Sequence, residues 1–204
     1  MKTLYYITDS TKYDDEEDFF ADVFAALRGG VDLIQLREKE LSDEEVYARA
    51  LRIKKEADKY NTPLIIDDRV DVAKKLGVGV HLGDDDMTVK EARAILGENA
   101  LIGASVKTVE RAKEAEAEGA SYFGTGALFP TQTKVITRHT SMETFRAIKK
   151  CAKVPVYAIG GINEKTRPEL KGEAFDGICV VSAIQYAEDP EAAVKSLRAR
   201  MKDL

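Results

Sequence analysis

Short apolar runs alternate with longer amphipathic segments from one end of the 204-residue chain to the other. The runs at 4–8, 33–36, 63–66, 79–82, 101–104, 122–124, 155–159 and 177–181 predict strands. Between and after them, the patterns at 16–28, 42–60, 69–76, 88–96, 107–118, 141–151, 164–170 and 190–202 predict helices. Ser42 with Glu45 forms a capping-box signature, and Gly29, Gly77, Gly97, Gly119 and Gly172 stand where helices end. Eight strands alternating with eight helices predict an α/β fold of the (β/α)8 TIM-barrel type, as one domain over residues 1–204. A doubly wound open sheet is the competing arrangement. Against it, no G-x-G-x-x-G follows the first strand, and the spacing of units stays even.

Composition narrows the partners. A net charge of -5 argues against nucleic acid or an anionic membrane, so any anion site has to be local. Cys151 and Cys179 lack metal-ligand spacing and read as reduced thiols, which points to a cytoplasmic protein. The opening MKTLYYITDS has no apolar run of the signal-peptide kind, and no stretch approaches the ~20 apolar residues of a membrane span. The acidic run at 14–18 sits where carboxylates suit the start of a helix.

In a barrel of this type, chemistry gathers where strands end. The second strand delivers Gln35, Arg37 and Lys39; the third Asp67 and Asp68; the fourth His81, Asp84, Asp85 and Asp86; the fifth Ser105 and Lys107. The sixth leads into GTGALFPTQTK at 124–134, where Gly124 and Gly126 allow close approach and Thr131, Gln132, Thr133 and Lys134 offer donors to anionic oxygens. Arg37, Lys39 and Lys134 would concentrate positive charge at one mouth, although Arg37 and Lys39 could instead pair with Glu38 and Glu40 on the rim. Asp68 and Asp86 supply the hard oxygens that Mg²⁺ prefers. Gly160, Gly161, Val181 and Ser182 bring backbone N–H groups to the ends of the last two strands, where barrels often bind phosphate. Two phosphorylated ligands are implied. His81 reads as a packed or hydrogen-bonded residue, and Ser105 has no histidine near it in sequence to act as a base.

The ordered set QLREK at 35–39, DDRVDVA at 67–73, GVHLGDDD at 79–86, GTGALFPTQTK, AIGGIN at 158–163 and VVSAI at 180–184 resembles the thiamine phosphate synthase family from the first strand to the last helix. That resemblance implies Mg²⁺-dependent joining of hydroxymethylpyrimidine pyrophosphate to thiazole phosphate. It implies that Gln35 and Ser105 meet the pyrimidine, that Arg37, Lys39 and Lys134 hold its pyrophosphate, and that Asp68 and Asp86 bind the metal. Thiazole phosphate would fall to Thr131, Thr133, Gly161, Val181 and Ser182, and Lys134, Arg37 and Ser105 would be the catalytic residues. Asp67, placed in the substrate site, stands beside the metal aspartate where the family usually has Asn, and would either pair with a cation such as Arg69 or help to ligate the metal; Asp84 stands where the family has Gln, and Lys107 where it often has His. Two alternatives share the barrel: a thiazole tautomerase acting on thiazole phosphate alone, and a non-catalytic phosphate-binding regulator.

Overall fold

Alternation of side chains along eight short strands decides the architecture. Strands β1 (Thr3–Ile7), β2 (Leu33–Leu36), β3 (Leu64–Asp67), β4 (Gly79–Leu82), β5 (Ile102–Ser105), β6 (Tyr122–Thr125), β7 (Val156–Ile159) and β8 (Gly177–Val180) pair in parallel in chain order, and β8 closes on β1. This is the expected (β/α)8 barrel, seen in a computed structural model that describes residues 1–131, 139–163, 165–202 and 204.

One set of strand residues, including Leu4, Ile34, Ile66, Val80, Ile102 and Phe123, packs outward against helical residues such as Phe19, Phe20, Ile53 and Phe145. The alternate set, Tyr5, Leu33, Ile65, Tyr122, Tyr157 and Cys179, fills the barrel interior. Three tyrosines dominate that filling. The rings of Tyr5 and Tyr122 meet edge to face at 5.7 Å, and Tyr157 lies 5.2 Å from Tyr122. Glycine on the neighbouring strand makes the room, since a β-carbon on Gly103 would lie 2.1 Å from Tyr122 Cζ.

The surrounding helices start and stop where local chemistry directs. They are α1 (Glu16–Gly29), α2 (Asp43–Ala57), α3 (Val70–Leu76), α4 (Val89–Leu96), α5 (Val109–Ala117) and α6 (Met142–Cys151), with α7 (Ser182–Gln185) and α8 (Pro190–Met201) after β8. Ser42 and Glu45 form the expected capping box on α2, and Thr88 with Glu91 forms another on α4. Left-handed Gly30 and Gly77 follow α1 and α3.

Two elements depart from the expected alternation. Among the described residues of the segment 164–170 no α-helix forms, and the 3-10 turn Arg167–Leu170 stands there instead. Asn163 Oδ1 accepts from the backbone N–H of Lys165 at 2.9 Å and Thr166 at 3.3 Å, a local turn that competes with a helical start. Pro168 then sits within the turn and left-handed Gly172 follows it, leaving no length for a helix. In its place, the short α7 appears directly after β8. Its Gln185 is buried, accepting at Oε1 from Tyr6 OH and from Asp9 N (3.1 Å) and donating from Nε2 to Tyr13 OH. Tyr13 in turn donates to Asp22 at 2.6 Å, so the end of β8 is tied to the segment after β1 and to α1.

A methyl group forced into a packed interior costs roughly 1–3 kcal/mol. Gly103→Ala should therefore melt about 3–10 °C below the parent in a thermal scan followed by circular dichroism. An unchanged midpoint would show that the Tyr122 ring is free to move aside.

Candidate active site

The alternation that turns Tyr5 and Ile65 inward also turns Gln35, Asp67, His81 and Ser105 inward at the carboxyl ends of β2 to β5. Asp67 pairs in register with His81, and Gln35 with Ile65. The residues just beyond these ends, Arg37, Lys39, Asp68 and Asp86, close the cluster.

Charge organises it. Lys39 Nζ lies 2.7 Å from Asp67 Oδ2 and also binds the Asp68 carboxylate, while Arg37 Nε is 3.8 Å from Asp67 Oδ2. Burial works to lower the pKa of Lys39, yet Asp67 and Asp68 together hold it above the ordinary lysine value. The rim pairing that would have occupied Arg37 and Lys39 is not formed with Glu38, which is buried and engages Arg49 (2.9 Å) and Ser10 (2.7 Å). Arg69, a plausible partner for Asp67 on sequence grounds, instead binds Asp43 and the carbonyl of Leu41 at 2.6 Å.

Asp68 adopts a left-handed φ of 63°, uncommon outside glycine, and its backbone N–H donates to His81 O at 2.9 Å. Its side chain meets Asp86. Burial and then this contact with Asp68 push the Asp86 carboxyl above the usual carboxylate range, against a 2.6 Å bond from Gly83 N–H. Asp84 turns elsewhere, to a 3.1 Å ion pair with Lys107. Two of the positions that depart from the family pattern thus neutralise one another. None of the three aspartates caps α4, because Thr88 does so.

A second group joins residues far apart in sequence. His81 Nε2 lies 3.1 Å from Ser105 Oγ, and its Nδ1 lies 3.2 Å from Tyr122 OH. Gln35 Nε2 donates to Tyr5 OH at 2.6 Å, and Tyr5 OH is 2.9 Å from Tyr122 OH. The histidine beside Ser105 escaped sequence reading because 24 positions separate them. Their inward positions on adjacent strands β4 and β5 were the available signal.

At the ends of β6 to β8, Gly160 (φ 95°) and Gly161 (φ 67°) let the loop after β6 pack backbone to backbone. Leu128 N donates to Ile159 O at 3.0 Å and Phe129 N to Gly160 O at 3.1 Å. A β-carbon on Gly161 would lie 2.4 Å from Pro130 O, which sets Thr131 beside it. Val181 and Ser182 begin α7. Gln132, Thr133 and Lys134 lie outside the described residues. A depression of about 390 Å³ bordered by Lys54, Lys74, Gly79 and Leu101 lies at the opposite end of the barrel and shares no residue with these groups.

Residues 4–184 match the family described as thiamine monophosphate synthase. The chain belongs to that family. It is 40% identical to the thiamine-phosphate synthase of Methanobrevibacter smithii, over 98% of this chain and 95% of that one. With the thiamine-phosphate synthase of Clostridium tetani it shares 43% identity over 96% of this chain and 93% of the other. A solved structure described as thiamine phosphate pyrophosphorylase from Pyrococcus furiosus superposes with a TM-score of 0.87 at 39% identity, covering 98% and 95% of the two chains. A 3-hexulose-6-phosphate synthase with a TM-score of 0.65 at 22% identity shares the barrel alone.

In this member of the thiamine monophosphate synthase family, no three His, Cys, Asp or Glu side chains among the described residues gather to hold a metal unaided. The contacts do suit a cation that completes its shell from other oxygens. Arg37 and Lys39 face Asp67, Asp68 and Asp86, two cations against three carboxyl groups, and the touching Asp68 and Asp86 share Lys39 with Asp67. No helix is long and apolar enough to cross a membrane among the described residues.

Because its folded-state pKa is raised, Asp86 favours the fold at low pH, and that contribution is lost as pH rises through the raised value. Asp86→Asn should therefore raise the melting temperature of the metal-free protein at neutral pH by about 2 °C, a small effect because the group is only half-buried. Added Mg²⁺ should no longer stabilise the variant. A lower midpoint would mean that the bond from Gly83 outweighs the repulsion from Asp68.

Proposed function

We propose that the protein is a thiamine phosphate synthase, a transferase that joins hydroxymethylpyrimidine pyrophosphate to thiazole phosphate and releases pyrophosphate. The observation that carries this reading is the convergence of Arg37, Lys39, Asp67, Asp68 and Asp86 at one barrel mouth in a chain of this family. A leaving pyrophosphate needs its growing charge neutralised, and cations together with a carboxylate-held metal answer that need.

Asp68 and Asp86 would hold Mg²⁺, with Asp67 keeping Lys39 and Arg37 close to them. Bound there, Mg²⁺ would supply positive charge to the pyrophosphate oxygens. Arg37, Lys39 and Lys134 take the departing pyrophosphate. The C–O bond to the pyrimidinylmethyl carbon breaks with its electron pair going to pyrophosphate, and the thiazole nitrogen lone pair forms the new C–N bond. No general base is required. Gln35 and Ser105 orient the pyrimidine, while Thr131, Thr133, Gly161 and the backbone at Val181 and Ser182 hold the thiazole phosphate.

A thiazole tautomerase would use the thiazole half alone, and a phosphate-binding regulator would need neither metal nor leaving-group cations. The charged cluster is superfluous to both.

Incubation with both phosphorylated halves should give thiamine phosphate and pyrophosphate, and product should vanish when Mg²⁺ is chelated. Isomerisation of thiazole phosphate without coupling would favour the tautomerase, and binding without turnover the regulator. Lys134→Ala should lower kcat by roughly a hundredfold while leaving the KM for thiazole phosphate near the parent value. A change confined to that KM would move Lys134 to the thiazole phosphate site.

A further inference from the structure

Polar groups inside the barrel form an unbroken line from one wall of the mouth to the other. It runs from Gln35 Nε2 to Tyr5 OH (2.6 Å), to Tyr122 OH (2.9 Å), to His81 Nδ1 (3.2 Å), and from His81 Nε2 to Ser105 Oγ (3.1 Å). Five strands contribute one residue each: β2, β1, β6, β4 and β5.

The protons in such a line are not independent. An amide nitrogen can only donate, and each phenol has one proton to give. With Gln35 Nε2 toward Tyr5, the arrangement in which each buried phenol spends its proton within the line sends the Tyr5 proton to Tyr122 and the Tyr122 proton to His81 Nδ1. His81 then carries its own proton on Nε2 and donates it to Ser105 Oγ, which leaves the serine proton for a ligand. Turning the Gln35 amide over reverses every link, and Ser105 then offers only lone pairs.

The surroundings favour transmission along the line. Tyr5 and Tyr122 are buried, and burial pushes both phenols well above their ordinary range, so they stay protonated and pass hydrogen-bond direction rather than charge. Gly103 leaves the space that the Tyr122 ring and hydroxyl occupy. Gly124 does the same for His81, whose Cε1 would lie 3.3 Å from a β-carbon there.

We propose that His81 is a positioning residue whose tautomer, set by Gln35 through Tyr5 and Tyr122, decides whether Ser105 donates to the ligand or accepts from it. In the direction described, the pocket presents an acceptor at Gln35 Oε1 and a donor at Ser105. That pair fits an amino-substituted nitrogen heterocycle, which gives an N–H to one wall and a ring lone pair to the other. The ligand assignment rests on the synthase reading above; the coupling of His81 to Gln35 does not.

The test uses the full chain labelled with ¹⁵N-histidine and free of ligand. Only two histidines occur, so His81→Asn assigns the signals, and long-range ¹H–¹⁵N spectra distinguish Nε2–H from Nδ1–H. The parent should show the Nε2–H tautomer at His81. Gln35→Glu, whose carboxylate only accepts, should reverse the line and move the proton to Nδ1. On a Tyr5→Phe background the same change should leave the tautomer where it stands, because the link is cut. Should Gln35→Glu not fold, Tyr122→Phe takes its place and should abolish the preference for Nε2–H. An Nδ1–H parent, or a tautomer indifferent to both Gln35→Glu and Tyr122→Phe, overturns the proposal. Since no substrate is present, failure here would leave the turnover result standing, and failure of turnover would leave the coupling standing.

Discussion

The ion pair that places Lys39 between Asp67 and Asp68 is the contact on which the mouth of the barrel depends. Asp67 is buried, and a buried carboxylate persists only where a cation meets it. Strand register delivers that cation. With Leu36 opposite Ile66, the chain leaving β2 carries Arg37 and Lys39 to the end of β3, and a slip of one residue would turn Asp67 out among the helices. The Asp67 carboxylate therefore does not stand as bare negative charge: it holds Arg37 and Lys39 at the mouth of the barrel.

Below the charged layer, the interior changes character by steps. Tyr5, Tyr122 and Tyr157 plug the barrel with rings, and two of their hydroxyls reach up to Gln35 and His81. The plug is thus apolar where it meets Leu33, Ile65 and Cys179 and polar where it meets the site. Glycines on the facing strands are the condition for both, because a β-carbon on Gly103 would displace the Tyr122 ring. At the far side of the mouth, buried Gln185 fixes α7 to the segment after β1, which gives the backbone at Val181 and Ser182 a defined position.

The barrel was legible in the sequence because its long helices carry periodicity and caps, as Ser42 and Glu45 show, and its strands carry dense apolar runs. Where those signals weaken, reading failed. The apolar spacing over 164–170 suggests a helix, but Asn163 and Pro168 redirect the backbone, and the four residues of α7 are too few to show a period. The gathering of Gln35, Asp67 and His81 at one end of the barrel was legible, because strand ends and side-chain alternation can both be read from the chain. Partner choice was not, because it depends on which neighbouring strand end comes close: Lys39 rather than Arg69 takes Asp67, Lys107 takes Asp84, and His81 reaches Ser105 across 24 positions. Tyr5 and Tyr122 are not singled out by the sequence, and only the fold joins their hydroxyls to Gln35 and His81.

The central claim of the proposed function is that Arg37 and Lys39, held by carboxylates, take pyrophosphate together with a metal on Asp68 and Asp86. The direct measurement is calorimetric titration of inorganic pyrophosphate into the full chain with and without Mg²⁺. The account predicts at least a tenfold gain in pyrophosphate affinity with Mg²⁺, about 1.4 kcal/mol, and by linkage an equal gain in Mg²⁺ affinity when pyrophosphate is bound. Both gains, corrected for Mg²⁺–pyrophosphate association in solution, should be lost in Asp68→Ala. Equal pyrophosphate affinity with and without Mg²⁺ would contradict it, and would mean that the cations act without the metal.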